Sequence, residues 1–212
     1  RVGRPALREA LRLLEARGII RMQTGRNGGP IVTEPDTRAV SESLSLLLVF
    51  RGATVADVLM AREVIEPAVA AEAAPHRAEA DVAELERSTQ AVLEAPGDHA
   101  VLTSEQSTFH GKLAEMSGSL VLGIVLDAAK RMIGTVDYAS GYSTERRKQI
   151  AAEHHAIAAA IREGDPDAAE KAMSEHLNGV RVYWDQVRPG FLDEPMHLLP
   201  PAALPDTNGE SC

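Results

Sequence analysis

Three histidines stand at spacings that can bring imidazoles together. His110 follows Phe109 on an amphipathic segment, with Gln106 one helical turn earlier on the same face. His154 lies in Glu153-His154-His155-Ala156-Ile157, and His176 in Met173-Ser174-Glu175-His176-Leu177. A tight turn at Gly164-Asp165 falls about midway between the last two. Two antiparallel helices joined there would set His154 and His176 side by side. Three imidazole nitrogens suit Zn, Ni, Mn or Fe, with positions left open for water or a ligand. The plainer alternative leaves them as ordinary histidines at helix surfaces or core edges.

Arginine supplies the second chemistry. Residues 1–29 hold seven arginines (Arg1, Arg4, Arg8, Arg12, Arg17, Arg21, Arg26) against Glu9 and Glu15. The whole chain has a net charge of −9, so a head of +5 sits on a body of −14. A basic head suits a polyanion, while the acidic body excludes a general nucleic-acid binder. Only seven residues are aromatic, which argues against stacking bases on rings.

The elements that must position these groups follow from periodicity. Over residues 4–17, Leu7, Leu11 and Leu14 form an apolar helical stripe, and Arg4, Arg8 and Arg12 form a second one. Gly18 ends that helix. Two β-prone runs then flank the turn Gln23-Thr24-Gly25-Arg26-Asn27-Gly28-Gly29, which predicts a hairpin. A helix followed by a hairpin with Arg at its tip is the second half of a winged helix-turn-helix. The helix suits the major groove, and Arg26 suits the minor groove or a phosphate. The alternative is a merely solvated arginine face. The turn lacks a Lys-Ser/Thr pair and a following helix, so it is not a phosphate loop.

From residue 36 the rhythm is helical. Helices are expected over 36–50, capped by Asp36, and then over 54–74, 78–94, 98–117, 119–136, 145–163 and 165–187, with Pro67 able to bend the second. No alternating β pattern follows the hairpin, so the fold class is mostly α: a partial winged helix, residues 1–34, ahead of an all-α bundle, residues 35–187. Residues 188–212 are proline-rich and expected to be a flexible tail. The longest apolar runs are far shorter than a membrane span. The single cysteine, Cys212, permits no internal disulfide and fits a reducing, cytoplasmic compartment.

The segment Val2-Gly3-Arg4-Pro5-Ala6-Leu7-Arg8-Glu9-Ala10-Leu11, with Leu14-Glu15-Ala16-Arg17-Gly18-Ile19, resembles the recognition helix of GntR-type transcription regulators. Gly25-Arg26-Asn27-Gly28-Gly29-Pro30-Ile31-Val32 is similar to the family's wing. The resemblance implies DNA contact by Arg4, Arg8, Arg26 and Gly28. Gly3 and Pro5-Ala6 depart from the family's Ser and Thr-Pro. The chain as given opens at that helix, so residues 1–212 alone are expected to bind operator DNA weakly.

The body resembles the FCD ligand-sensing domain of the FadR subfamily. Arg62-Glu63-Val64-Ile65-Glu66 with Ala70-Ala71 carries the likeness, as do Phe109-His110 with Leu113-Ala114 and Ser117-Gly118. So does the run from Glu153-His154 through Gly164-Asp165 to His176-Leu177. The resemblance implies a divalent metal, Zn, Ni or Mn, beneath an effector pocket, with His110, His154 and His176 on its three His positions. Gln106 falls on the family's Asp position. An amide brings a dipole where a carboxylate brings a charge, so weaker metal binding is expected. Glu105 is expected to point about 100° away around the helix and not to substitute.

The implied effector is a small organic or sugar acid held partly by arginine, with Arg62 the first candidate and Arg131 the second. For Arg62 the alternative is an intrahelical ion pair with Glu66 at i, i+4. The reading that results is a ligand-responsive bacterial transcription regulator, a repressor acting on operator DNA as a homodimer, and not an enzyme. The competing function is a metal-dependent hydrolase or lyase using the three histidines. It lacks a clear general base, since Glu153 and Glu175 each neighbour a histidine in sequence and so point away from it on a helix. The third is a helical interaction domain in which the histidines never meet.

Overall fold

In a computed structural model, residues 3–26, 28–33, 38–133 and 141–196 are described. Helix α1 (Arg4–Ala16) leads into the antiparallel hairpin β1 (Ile20–Gln23) and β2 (Gly29–Val32), with Ile20 opposite Val32 and Gln23 opposite Gly29. Among the described residues, seven α-helices follow: α2 (Arg38–Phe50), α3 (Val55–Ala73), α4 (Glu79–Glu94), α5 (His99–Met116), α6 (Leu120–Ile133), α7 (Thr144–Glu163) and α8 (Pro166–Val187). The elements expected from periodicity are present within a few residues. The Asp36 cap and residues 134–136 and 197–212 lie outside the described residues.

Local chemistry explains the boundaries. Thr54 and Asp57 form a reciprocal capping box at the start of α3. Asp98, Ser143 and Asp165 each accept from backbone N–H groups at the starts of α5, α7 and α8. Gly164 ends α7 at φ +70°, the left-handed conformation that favours glycine, and so makes the turn that folds α8 back along α7. Helix α3 runs unbroken through Pro67.

The head is small. Met22 N donates to Glu15 Oε1 at 3.0 Å, and Thr33 Oγ1 donates to the Gly18 carbonyl at 2.9 Å, tying hairpin to helix. No residue of α1 is buried, and Leu7 and Leu13 are more than half exposed. The wing turn has a backbone reason for Gly28: a Cβ there would stand 2.3 Å from the Gln23 carbonyl oxygen.

The bundle carries two apolar clusters. One gathers Val69, Ala73, Leu85, Phe109, Leu113, Ile157, Met173 and Leu177. The other gathers Leu59, Leu102, Ile150, Val180, Trp184, Phe191 and Met196. The order along each helix is the informative feature. On α3, α5 and α7, buried polar residues sit between members of one cluster and members of the other: Arg62 and Glu66, Glu105, and His154, while His110 and His176 lie among members of the first cluster and meet them there. The bundle is thus two hydrophobic cores with a polar layer between them.

The stretch from 188, expected to be flexible, is ordered as far as Met196. Phe191 and Met196 are buried against Trp184 and its neighbours, and Met196 N donates to the Ala53 carbonyl at 2.8 Å. Two apolar side chains inside a proline-rich composition bury enough surface to hold the segment.

Candidate metal centre

The polar layer is built by four helices. Helix α5 contributes His110, α7 contributes His154 and α8 contributes His176, all nine-tenths or more buried. Their ligating nitrogens all lie within 4.8 Å of one another. His154 Nε2 and His176 Nε2 are 3.2 Å apart. The turn at Gly164 therefore does set the two histidines side by side, and α5 brings the third against them. His154 also stacks on Phe109, with ring centroids 4.1 Å apart and planes 6° apart.

Each imidazole meets a carboxylate through its other nitrogen. His154 Nδ1 is 2.6 Å from Glu105 Oε1, His110 Nδ1 is 2.6 Å from Glu66 Oε2, and His176 Nδ1 is 2.8 Å from Glu153 Oε2. An ionised carboxylate only accepts, so the bonds of His154 and His176 put the hydrogen on Nδ1 and leave Nε2 its lone pair, while His110 Nδ1 meets Glu66 as a close contact without hydrogen-bond geometry. Arg62 Nη2 lies 3.4 Å from His110 Nε2, which agrees with that tautomer. Carboxylates behind histidines are the arrangement that orients imidazoles for a metal.

The electrostatics keep His110 and His176 neutral. Burial pushes His110 down to about 4, against the opposing pull of Glu66. Burial and then the neighbouring His154 push His176 down to about 3. Burial alone would raise Glu66, but Arg62 and His110 hold it well below the usual carboxylate range. Burial likewise opposes the ionised form of Glu153, and His176 and Arg146 outweigh it.

The donor set fits a divalent transition ion. Neutral imidazoles are good ligands, and metal–nitrogen bonds of about 2.0–2.1 Å suit nitrogens this close. Two lone pairs facing each other across 3.2 Å repel unless a cation or a proton lies between them.

Arg62 is buried and bonded through Nε to Glu66, the intrahelical ion pair expected as the alternative, and its Nη2 lies 3.4 Å from His110 Nε2. Gln106 is half-buried, and its Nε2 donates to Glu105 Oε2 at 3.1 Å. Glu105, expected to point away, is instead buried and on His154. Its position continues the stripe Leu102, Glu105, Phe109, Leu113, Met116, which the spacing shows. Glu153 does point away from its sequence neighbour His154, and it reaches His176 across the helix pair. The side chain of Arg131 lies outside the described residues. Arg4, Arg8 and Arg26 are exposed on the head, with Gly28 in its turn.

The FCD domain family matches residues 57–179, the span from α3 into α8. The HTH-type transcriptional repressor NanR of Salmonella newport is 26% identical over 188 residues, covering 86% of this chain and 72% of the relative. NanR of Salmonella typhimurium is also 26% identical, covering 86% and 71%. Among solved structures, a Streptococcus agalactiae GntR protein aligns with TM-score 0.63 and 26% identity, covering 85% of this chain and 82% of its own. E. coli McbR/YncC, with TM-score 0.54 and 16% identity, shares the fold over 86% of this chain and 80% of its own.

Proposed function

The chain belongs to the GntR family of transcription regulators and carries that family's FCD domain, and from that premise we propose that it is a metal-assisted sensor of a small carboxylate that controls operator binding. Residues 1–34 read DNA and residues 35–187 sense the effector. The single observation that carries this reading is the layer of three Nε2 atoms, each ring fixed from behind by its own carboxylate.

His110, His154 and His176 hold the divalent ion, Zn, Ni or Mn. When bound, the ion supplies a positive centre for an oxyanion. Gln106 holds Glu105, so the remaining positions go to water or to effector oxygens. Arg62, braced by Glu66, offers Nη2 beside His110 and pairs with an effector oxygen. On the head, Arg4 and Arg8 repeat one turn apart on α1 and meet bases or phosphates. Arg26 reaches from the wing, whose backbone Gly28 permits. Two copies pair to read two half-sites, and effector binding favours one relative placement of the heads over another. The relatives named NanR are repressors, and repression is the output proposed for this chain.

A sensor is favoured over a hydrolase by the carboxylates. Glu66, Glu105 and Glu153 are each committed to an Nδ1 atom, and a general base for water would have to be free. The test is a thermal-unfolding series. The purified protein is stripped with chelator, reloaded with zinc, and scanned against small organic and sugar acids. The proposal predicts stabilisation by zinc and further stabilisation by at least one acid, only with zinc present. Indifference to both would overturn it, and turnover of ester or lactone substrates would favour the hydrolase.

A further inference from the structure

Behind the three carboxylates stands a second ring of donors, and its members are not alike. Arg62 Nε holds Glu66, and Arg146 Nη1 donates to Glu153 Oε1 at 2.7 Å. Gln149 Nε2 adds a bond to the same oxygen at 3.0 Å. Glu105 is held differently. Its Oε1 meets His154 Nδ1 at 2.6 Å, and its Oε2 accepts from Gln106 Nε2 at 3.1 Å. Among the described residues it has no arginine or lysine partner. Two carboxylates of the layer are thus paired with a guanidinium, and the third is braced by an amide.

The difference is one of charge. A guanidinium brings N–H groups and a full positive charge, whereas a primary amide brings N–H groups alone. Glu105 is as enclosed as Glu66, each side chain being 1% exposed, yet only Glu66 has a buried guanidinium in return for its lost water. Arg147, also buried, is turned to the carbonyls of Tyr142, Pro96 and Gly97. The pairs Arg62–Glu66 and Arg146–Glu153 cancel, so the charge left over is that of Glu105, on the His154 arm. A buried carboxylate without a counterion is costly, and buried charges are found paired or serving a metal. Glu105 reaches the centre of the layer through His154, whose Nε2 stands among the ligating nitrogens. A carboxylate on Nδ1 raises the basicity of Nε2, and a cation on that carboxylate would draw the effect away.

We infer that Gln106 is a positioning residue whose neutrality matters: its amide fixes Glu105 behind His154 and leaves the charge of Glu105 for the metal. The centre receives its negative charge through His154, from one residue behind the ion, and not from a ligand at position 106. This inference rests on the metal reading above and names the source of that site's charge.

The experiment varies charge at position 106. Gln106→Met keeps the length and loses the donor, and Gln106→Lys sets a cation beside Glu105. Ser104→Lys puts the same charge next to Glu105 in sequence but at an exposed position, and serves as control. Zinc affinity of the full chain is measured by competition with a chromogenic chelator, and metal-free melting by circular dichroism. Gln106→Met weakens zinc binding by up to about tenfold and lowers the metal-free melting temperature. Gln106→Lys weakens zinc by a further factor of roughly ten or more, yet melts above wild type when metal-free, because Glu105 then has a counterion. Ser104→Lys stays within about twofold of wild type. A brace that served packing alone would lose in both readings with both substitutions at 106. Zinc binding by Gln106→Lys no weaker than by Gln106→Met overturns the inference and leaves the metal site standing. So does a metal-free Gln106→Lys that melts below wild type or fails to fold, or an equal loss in Ser104→Lys. No zinc binding by wild type removes the metal reading and the inference together.

Discussion

Replacing Glu105 by Gln isolates what a carboxylate behind a histidine contributes. The side chain is 1% exposed, and Oε1 lies 2.6 Å from His154 Nδ1. Glutamine keeps the shape and can still accept from Nδ1 through its own Oε1. Its amide nitrogen would then face Gln106 Nε2, which now donates to Glu105 Oε2 at 3.1 Å. Donor would meet donor, and one buried N–H would go without a partner at a cost of about 1–3 kcal/mol. His154 would also exchange a charge-assisted bond for a neutral one, making Nε2 a poorer ligand. Together these predict a zinc affinity lower by about 10- to 100-fold, or about 1.4–2.8 kcal/mol. Competition against a chromogenic zinc chelator at pH 7.5 measures it. The surface substitution Glu84→Gln serves as control and circular dichroism checks the fold. A folded Glu105→Gln protein whose zinc affinity lies within about twofold of wild type would show that the carboxylate does not tune the ring.

Other perturbations give separate readings. His110 and His176 sit well below an ordinary histidine, so the unfolded chain takes up protons between about pH 6.5 and 4 that the folded chain refuses. The stability of the metal-free protein is therefore full above about pH 6.5 and falls on acidification, by up to about 3 kcal/mol per pH unit when two protons are involved; urea titrations at pH 5 and 7 with equal midpoints would contradict this. Phe109→Ala removes a fully buried ring stacked on His154 and is expected to cost about 3–5 kcal/mol in denaturant unfolding. Gly28→Ala drives a Cβ into the Gln23 carbonyl, so limited proteolysis should open the hairpin while the bundle's melting temperature stays put. With Arg4 and Arg8 on phosphates as proposed, Arg4→Ala and Arg8→Ala are each expected to lower the slope of log affinity against log salt by about 0.9 in DNA-binding titrations.

The helices were legible because their ends carry local chemistry. Thr54 at a start, with Gly118 and Gly164-Asp165 between helices, mark boundaries that depend on a few adjacent residues, and Asp98 and Ser143 cap starts that periodicity alone locates. The meeting of His154 and His176 was legible for a similar reason, since a tight turn fixes the register of an antiparallel pair. The carboxylates behind the histidines were harder to read. Glu105 occupies the apolar stripe of α5, and a charged residue in such a stripe signals a buried partner, but the family's ligand position falls on its neighbour Gln106. Glu153 shows that a residue pointing away from its sequence neighbour can face the next helix. Arg146 precedes Ile150, His154 and Ile157 on the buried face of α7, yet no pattern in α7 alone tells which groups of a guanidinium find partners. Residues 188–196 were hidden by composition, because prolines masked the two side chains that anchor them.

The proposed metal centre is open to anomalous diffraction from crystals of the zinc-soaked protein, collected on both sides of the zinc absorption edge. One strong peak per chain is expected, about 2 Å from Nε2 of His110, His154 and His176 and absent from a His154→Ala crystal. A map with no peak among those three rings, at zinc concentrations that populate surface sites, would mean that the histidine layer holds no metal.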